Sequence, residues 1–208
     1  MPRATRAKIS KNGPQQSRSR ATVQVILDAA VRILDQEHSD AATTSRIAEV
    51  AGVSVGTLYQ YFANREAILD ALQEREFERA TELIARLLAS PEGTTEAEVA
   101  RSIVEGLLVA YRRSPGLHRA LALEGLRVTP TESVVAFDLR IVSSIRDFLR
   151  LAGPRIRRTN LDTAAFVVHQ TVRATLLGYL LERPAGITDA SISEEVTELV
   201  VRYLAHDS

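Results

Sequence analysis

The chain has 208 residues, of which 45% are hydrophobic, with no cysteine and with 26 basic and 26 acidic side chains. A chain of this length can bury about 70% of the surface that its unfolded form exposes, enough for one large or two small domains. The lack of cysteine excludes a disulfide framework and a thiolate zinc site. The sequence has no signal-peptide core and no apolar run of about 18 residues, so a cytoplasmic protein without a membrane span is expected.

The charge is distributed unevenly along the chain. Residues 1–65 carry nine basic and five acidic side chains, whereas residues 66–208 carry 17 basic and 21 acidic ones. Residues 1–20 contain six basic side chains and no acidic one, among Ser, Gln, Pro and Gly residues that do not build a core. Residues 1–19 are therefore expected to form a flexible basic arm, either solvated or lying on the phosphates or in the minor groove of DNA.

Apolar residues recur at helical spacing along nearly the whole chain, which predicts an all-α fold of about nine helices. An amphipathic first helix is predicted over residues 21–36. A short second helix follows Thr43, whose hydroxyl suits an N-cap, and a third follows Ser54. A long helix is predicted from about Asn64 to Leu88, before the breaker Pro-Glu-Gly.

Five further helices are predicted in the remainder of the chain, separated by Gly and Pro. They cover residues 95–112, 116–126, 132–151, 161–182 and 191–205. The stretch SVVAF at 133–137 has the composition of a strand, but it lies inside a longer helical pattern and is predicted to be helical. The expected domains are a helix-turn-helix head at 20–66 and a helical effector-binding and dimerisation domain at 67–208.

The segment AGVSVGTLYQYF, residues 51–62, has two interpretations. Its GVSVG string fits the G-x-S-x-G pattern of a hydrolase nucleophile elbow, and Asp138 and His169 follow Ser54 in the chain order of a triad. An elbow needs a strand before its serine and a sheet to support it, whereas the preceding TSRIAEVA is predicted to be helical. Esterase chemistry is therefore disfavoured, and no catalytic residue is predicted.

The same segment fits the turn and second helix of a DNA-binding helix-turn-helix. Ala48 is small where two helices cross, and Gly52 supplies a positive φ at the turn. Ser54 caps the second helix. Leu58 and Phe62 are predicted to be core residues, and Tyr61 is also assigned to the packing between the helices.

Residues 43–69, TTSRIAEVAGVSVGTLYQYFANREAIL, resemble the signature of the tetracycline-repressor (TetR) family, and the upstream ILDAAVRILD resembles its first helix. The likeness covers residues 20–70. It implies a three-helix DNA-binding head and an all-helical C-terminal half that forms a homodimer and binds a small effector. The chain is thus expected to be a transcription regulator, more specifically a repressor that an apolar or amphipathic ligand releases from a palindromic double-stranded operator. An all-helical enzyme or protein-interaction module with a basic head is the alternative.

The chain departs from the family pattern at two positions. His38 stands where a glycine commonly ends the first helix, so this turn must close differently or His38 must adopt a left-handed conformation. Arg46 stands where an acidic residue often completes a capping box, so a weaker cap is expected, with Arg46 contacting a phosphate instead.

The resemblance assigns DNA contacts to the start of the second helix, to the recognition helix and to the arginine beyond it. Val55 and Thr57 can contact a thymine methyl, and Gln60 can bond an adenine edge. Hydroxyl and guanidinium groups suit phosphate oxygens. The full set of predicted DNA-binding residues is Thr44, Ser45, Arg46, Ser54, Val55, Gly56, Thr57, Tyr59, Gln60, Tyr61 and Arg65.

The effector site is predicted among polar side chains that interrupt the apolar faces of residues 95–182. The candidates are Tyr111, His118, His169 and Arg173. His169 and Arg173 are four residues apart on one helix face and can hold an anionic group, or else form a polar patch in an interface or a satisfied buried pair. The histidines have no metal-ligand spacing, and no metal or cofactor is predicted.

The last two predicted helices carry broad apolar surfaces, which suggests that they pair with their copies as a four-helix bundle. The residues assigned to this dimer interface are Leu177, Val196, Val200 and Tyr203. The long helix that ends near Leu88 joins the head to the C-terminal half, so an effector that tilts it is expected to change the spacing of the two reading heads.

Overall fold

The computed structural model describes residues 12–37, 39–89, 93–124 and 132–205. Within these ranges the regular structure is helical, apart from one isolated antiparallel bridge between Ile156 and Ala205. The predicted all-α fold is confirmed. The chain divides into two compact units between Leu69 and Asp70.

The first unit contains three helices and the beginning of a fourth. These are α1 (Asn12–Gln36), α2 (Thr44–Ala51), α3 (Val55–Tyr59) and the start of α4 (Arg65–Leu88), with a 3-10 turn at Ser39–Ala41. The second unit contains the rest of α4, then α5 (Glu96–Arg113), α6 (Pro115–Glu124), α7 (Glu132–Ala152), a 3-10 turn (Gly153–Arg155), α8 (Leu161–Glu182) and α9 (Asp189–Leu204).

The first helix begins earlier than its apolar pattern indicates. The prediction of a flexible arm is wrong for residues 12–19, which are helical. Apolar periodicity could not reveal these turns, because the residues there are mostly polar and only the helix propensity of Gln and Arg favours them. Residues 1–11 and His38 lie outside the described residues, so the predictions for the arm at 1–11 and for the turn at His38 stay predictions.

The core of the first unit forms where α1 and α3 pack against α2. Ile26, Ile33, Ile47 and Leu58 are fully buried there. Ala48 is also fully buried, as expected for a small residue at a helix crossing. This core fixes the angle at which α3 is presented.

In the second unit, α7 packs against α8 and α5 packs against α9. Val196 and Val200 of α9 point into this core, and each is only 4% exposed. Val196 packs with Leu108 and Leu176, and Val200 packs with Leu149 and Ala164, so both valines are covered by their own chain. Their assignment to a dimer interface is corrected accordingly: α5 of the same chain covers the face that the sequence pattern assigned to the partner.

α8 is long and apolar enough to cross a membrane, by length and composition alone. No such segment is expected from the sequence, which has no uninterrupted apolar run of about 18 residues. In the structure Ala164, Ala165 and Leu176 of this helix are buried against neighbouring helices. The core helix of a globular domain can be equally long and apolar, so packing within the unit accounts for the apolar character of α8.

The C-terminal end of α9 is held by two consecutive arginines. Arg157 donates to the carbonyl oxygens of Arg202 (2.7 Å) and Tyr203 (3.2 Å). Arg158 donates to the Tyr203 carbonyl at 2.7 Å, and its guanidinium lies 4.0 Å from the centre of the Tyr203 ring. These contacts satisfy carbonyl groups that the end of a helix leaves without intrahelical partners.

Candidate DNA-binding and effector sites

The turn between α2 and α3 has the geometry of a helix-turn-helix. Gly52 ends α2 with φ of 68°, the left-handed conformation that its position requires. The Val53 amide donates to the Ala48 carbonyl at 3.0 Å and closes the turn. Ser54 caps α3, because its Oγ accepts a hydrogen bond from the Thr57 amide at 3.0 Å. The predicted roles of Gly52 and Ser54 as turn and cap residues are thus observed.

One face of α3 is buried and the other is open to solvent. Leu58 and Phe62 are buried in the head, as predicted. Tyr59 is 52% exposed, and Tyr61 is also exposed, so the assignment of Tyr61 to helix packing is corrected. The exposed positions that match predicted DNA contacts are Ser45, Ser54, Val55, Gly56, Tyr59, Gln60 and Tyr61, while Thr44 and Thr57 are half-buried.

Two side-chain pairs order the hydroxyl groups on this surface. The Thr44 and Tyr59 hydroxyl oxygens are 3.2 Å apart, which joins the start of α2 to the end of α3. The Ser54 and Thr57 hydroxyl oxygens are 2.8 Å apart. Hydroxyl groups of this kind commonly bond phosphate oxygens in protein–DNA interfaces. Because the hydrogen bonds hold these hydroxyl groups in place, their side chains would need little rearrangement to contact a phosphate.

Arg46 lies between two carboxylates instead of pointing freely into solvent. Its guanidinium is 2.9 Å from Glu37 Oε1 and 3.0 Å from Glu49 Oε2. Hydrogen bonds to Glu37 and Glu49 hold the pKa of Arg46 above its usual value. The Thr43 cap is nevertheless present, because Thr43 Oγ1 accepts from the Arg46 amide at 3.2 Å. A phosphate contact by Arg46 would compete with these ion pairs.

Arg65 bonds the 3-10 turn that precedes α2. Its Nε donates to the Ala42 carbonyl at 3.1 Å. Its Nη2 donates to the Ser39 carbonyl (3.2 Å) and to Ser39 Oγ (3.0 Å). Sequence reasoning missed this role, because a contact across 26 residues leaves no periodic signal. Arg65 therefore stabilises the head, and its phosphate contact stays a prediction.

In the second unit, a series of side-chain contacts begins at two of the predicted effector residues. The Tyr111 and His118 rings lie 4.9 Å apart between centroids. His118 Nδ1 donates to the Ser114 carbonyl at 2.9 Å, and its Nε2 lies 3.6 Å from Glu76 Oε2. Tyr111, His118 and Glu76 come from α5, α6 and α4, so three helices meet here.

The series continues from α4 to α7 and α8. Phe77, next to Glu76, stacks on Phe137 with ring centroids 4.2 Å apart, and Phe137 meets the His169 ring edge-on at 6.0 Å. The Asp138 carboxylate accepts a hydrogen bond from His169 Nε2 at 2.8 Å and lies 3.7 Å from Arg173 Nη1. The chain's own Asp138 thus occupies the place predicted for an anionic ligand group on His169.

These contacts form two groups of side chains, which meet only through the neighbouring positions Glu76 and Phe77 of α4. The eight side chains come from five helices and are here called the effector ring. Its members are Glu76, Phe77, Tyr111, His118, Phe137, Asp138, His169 and Arg173. Burial raises the pKa of the Tyr111 phenol, and the positive charge of Arg173 acts to lower it. All four predicted effector residues lie in this ring, and its other four members, Glu76, Phe77, Phe137 and Asp138, were not predicted as effector residues.

The hydrolase interpretation finds no support at Ser54. Asp138 and His169 do form a hydrogen-bonded pair, but both belong to the second unit, whereas Ser54 belongs to the first. The Ser54 hydroxyl accepts from the Thr57 amide and follows a helix, and the described residues contain no strand that could support an elbow. Within the same residues, no group of three or more His, Asp or Glu side chains is arranged to hold a metal ion.

Two family models match the chain, one in its N-terminal part and one in its C-terminal part. Residues 26–72 match the model described as bacterial regulatory proteins, tetR family, and residues 97–204 match the tetracyclin repressor-like C-terminal domain. The HTH-type transcriptional repressor KstR of Mycolicibacterium smegmatis is 34% identical over 187 residues, which cover 86% of this chain and 84% of KstR.

Two solved structures show the same fold at low sequence identity. The SmeT–triclosan complex superposes with a TM-score of 0.70 at 21% identity, covering 90% of this chain and 93% of SmeT. The regulator FadR of Bacillus subtilis in complex with stearoyl-CoA gives a TM-score of 0.70 at 20% identity, covering 86% of this chain and 98% of FadR.

Proposed function

Since the chain belongs to the tetracycline-repressor family of transcription regulators, we propose that it is a homodimeric cytoplasmic repressor that binds a palindromic operator and leaves it when a small effector binds. The observation that carries the DNA-binding part is the α2–turn–α3 unit, with its capped recognition helix and solvent-exposed reading face. The family consists of regulators of transcription, and no enzymatic role is proposed.

Side chains of α3 and of Gln60, which directly follows it, suit readout of base edges in a major groove. Val55 and Thr57 present methyl groups that can contact thymine, and Gln60 presents an amide that can pair with adenine. The hydroxyl pair of Thr44 and Tyr59 suits a phosphate next to the bases read by α3. In this arrangement α3 and Gln60 contact the bases, while the flanking hydroxyl groups hold α3 in position on the duplex.

The experiment that tests this function is the capture and sequencing of genomic fragments by the purified full-length chain. Salt of about 150 mM weakens sequence-independent phosphate binding, so specific sites dominate the retained fragments. We expect the fragments to share a palindrome, because a symmetric dimer reads two equivalent half-sites. Retention without a shared sequence, or no retention at all, would contradict the proposal.

For the dimer, we place the interface on the faces of α8 and α9 that point away from their own core. Phe166 of α8 is 55% exposed and Leu199 of α9 is 54% exposed. Leu177 is half-buried. Large apolar side chains on neighbouring helices favour association with a second copy, and an isologous pairing would give a four-helix bundle. This arrangement replaces Val196 and Val200 of the sequence-based prediction.

The effector is proposed to bind at the effector ring and to act through α4. This helix begins with Arg65, which bonds the 3-10 turn of the head, and carries Glu76 and Phe77 of the ring just over three turns later. A ligand that moves Glu76 or Phe77 therefore acts on a helix that also belongs to the head. By linkage, the effector lowers operator affinity by the same factor that operator lowers effector affinity.

The aromatic members of the ring favour an apolar or amphipathic effector. SmeT and FadR, which share this fold, are seen with triclosan and with stearoyl-CoA, whose stearoyl chain is apolar and whose coenzyme A part is charged. The test is a thermal-shift screen of the full-length chain, followed by operator titration with every compound that binds. Compounds that raise the melting temperature should weaken operator binding, and compounds that bind without this effect would contradict the coupling.

A further inference from the structure

The part of the head that would read DNA carries little positive charge. Between Ser39 and Asn64, a segment that includes α2, the turn and α3, Arg46 is the only Lys or Arg, whereas Asp40 and Glu49 are acidic. Contacts of Lys and Arg with phosphates supply essentially all of the sequence-independent affinity of a protein for DNA. The partners of the Arg46 guanidinium therefore decide how much of this affinity α2 and α3 contribute.

Arg46 is bound by a carboxylate at each of its two terminal nitrogens. Its Nη2 donates to Glu37 Oε1 at 2.9 Å, and its Nη1 donates to Glu49 Oε2 at 3.0 Å. Glu37 directly follows α1, whereas Glu49 lies about one turn beyond Arg46 in α2. One positive and two negative charges meet here, so a phosphate that comes close to Arg46 encounters a group of net negative charge.

Arg46 nevertheless lies close to the surface that is proposed to contact DNA. It belongs to the first turn of α2, directly after Thr44 and Ser45, and the Thr44 hydroxyl oxygen is 3.2 Å from that of Tyr59 at the end of α3. The Arg46 side chain keeps 41% of its surface exposed. Guanidinium groups bind phosphates in the same way as they bind carboxylates. Phosphates and the two carboxylates therefore compete for the same cation.

We propose that Glu37 and Glu49 restrain sequence-independent DNA binding by holding Arg46 away from phosphates. The inference rests on the proposed function and concerns the strength of its DNA binding. Operator and other DNA have the same phosphates, so the restraint lowers the affinity for both and leaves discrimination to the base contacts. Exposed ion pairs such as these are individually weak, so we expect a restraint of about fivefold, within what one phosphate contact can supply.

The test is a titration of a scrambled duplex with the full-length chain at salt concentrations from about 50 to 200 mM. The slope of log binding constant against log salt concentration reports the number of phosphates that the protein neutralises, at about 0.9 per contact. Glu37→Gln/Glu49→Gln nearly preserves the size of both side chains and removes both charges. It should bind the scrambled duplex about fivefold more tightly at about 50 mM salt, with a slope steeper by about one.

Two control variants show whether the effect belongs to Arg46. Adding Arg46→Gln to the double variant should return the slope to that of the unmodified chain. Asp40→Asn/Glu66→Gln also removes two carboxylates from the head. Both are exposed, and among the described residues neither forms an ion pair with Arg46. This variant should leave the slope unchanged, because it raises the net charge equally without releasing a cation.

Glu49→Gln alone provides a milder test. The Glu49 side chain is the more exposed of the two partners, and its loss keeps the Glu37 pair that joins α2 to the end of α1. Thermal unfolding is measured for every variant, and this single variant decides the test if the double variant does not fold. It should steepen the slope by less than the double variant, again only in the presence of Arg46.

An unchanged slope in both glutamate variants would overturn the inference. A steeper slope that persists without Arg46, or that Asp40→Asn/Glu66→Gln reproduces, would also overturn it, as would the absence of binding to any duplex. The palindrome from the captured fragments is titrated with the same preparations. Selective binding of the palindrome with unchanged slopes would refute this inference alone. Equal binding of both duplexes by the unmodified chain would refute the proposed function, while the slopes would still decide the inference.

Discussion

Replacing Arg65 by alanine separates a structural role of this residue from a role on DNA. The side chain is half-buried and makes three hydrogen bonds to Ser39 and Ala42, at 3.0 to 3.2 Å. A hydrogen bond from a charged donor contributes about 1.5–3 kcal/mol when buried, and less when solvent competes. Because the three bonds share one side chain and are partly solvated, their joint loss should cost about 2 kcal/mol.

The assay is amide hydrogen exchange of the full-length chain, followed by mass spectrometry of peptides that cover residues 39–47. The Ala42 and Thr43 amides are bonded to the carbonyls of Ser39 and Ala41 in the turn that Arg65 holds. A loss of about 2 kcal/mol in local stability corresponds to about 30-fold faster exchange. Peptides from α7 to α9 serve as the internal reference and should not change.

Arg65→Lys is the matched control for charge. Lysine keeps the positive charge but lacks the planar fork that reaches Ser39 and Ala42 together. It should therefore speed exchange nearly as much as alanine while keeping the salt dependence of operator binding. A change of less than about threefold in Arg65→Ala would refute the structural role. The slope of log binding constant against log salt concentration should also be measured. If this slope falls by about one in Arg65→Ala but not in Arg65→Lys, Arg65 also contacts a phosphate.

The remaining predictions concern base readout, the turn and the dimer. Gln60→Ala should cost about 1–3 kcal/mol on the best operator and flatten the preference at one base position in binding-site selection, whereas Gln24→Ala on the exposed part of α1 should change neither. Gly52→Ala should lower the unfolding temperature, because a left-handed residue with a Cβ costs about 1–2 kcal/mol, whereas Gly56→Ala at ordinary φ should not. Phe166→Glu should give monomers in analytical ultracentrifugation, and an unchanged dimer would contradict the interface placed on α8.

The helices and the helix-turn-helix were accessible from sequence because their signals are local. Gly52 and Ser54 occupy positions where backbone conformation and capping leave few alternatives, and the structure has both as predicted. The helical assignment of the SVVAF stretch also holds, since α7 covers it. Periodicity and cap chemistry act over a few residues, which is the range that a single sequence displays.

The features that sequence reasoning missed depend on contacts between distant segments. Val196 and Val200 lie on an apolar stripe, but a stripe does not say whether α5 or a second copy covers it. Asp138 was not predicted as an effector-site residue, because its hydrogen bond with His169 depends on the packing of α7 against α8. The first turns of α1 were missed for a local reason. Their residues are mostly polar, and a helical pattern is recognised from the spacing of apolar residues.

Sequence-specific DNA binding by the head can be tested in a single titration. A labelled duplex that carries the palindrome from the captured fragments is titrated with the full-length chain at about 150 mM salt, beside a scrambled duplex of identical composition. We expect the chain to bind the palindrome about a thousandfold or more tightly than the scrambled duplex. Equal affinity for both duplexes would contradict it.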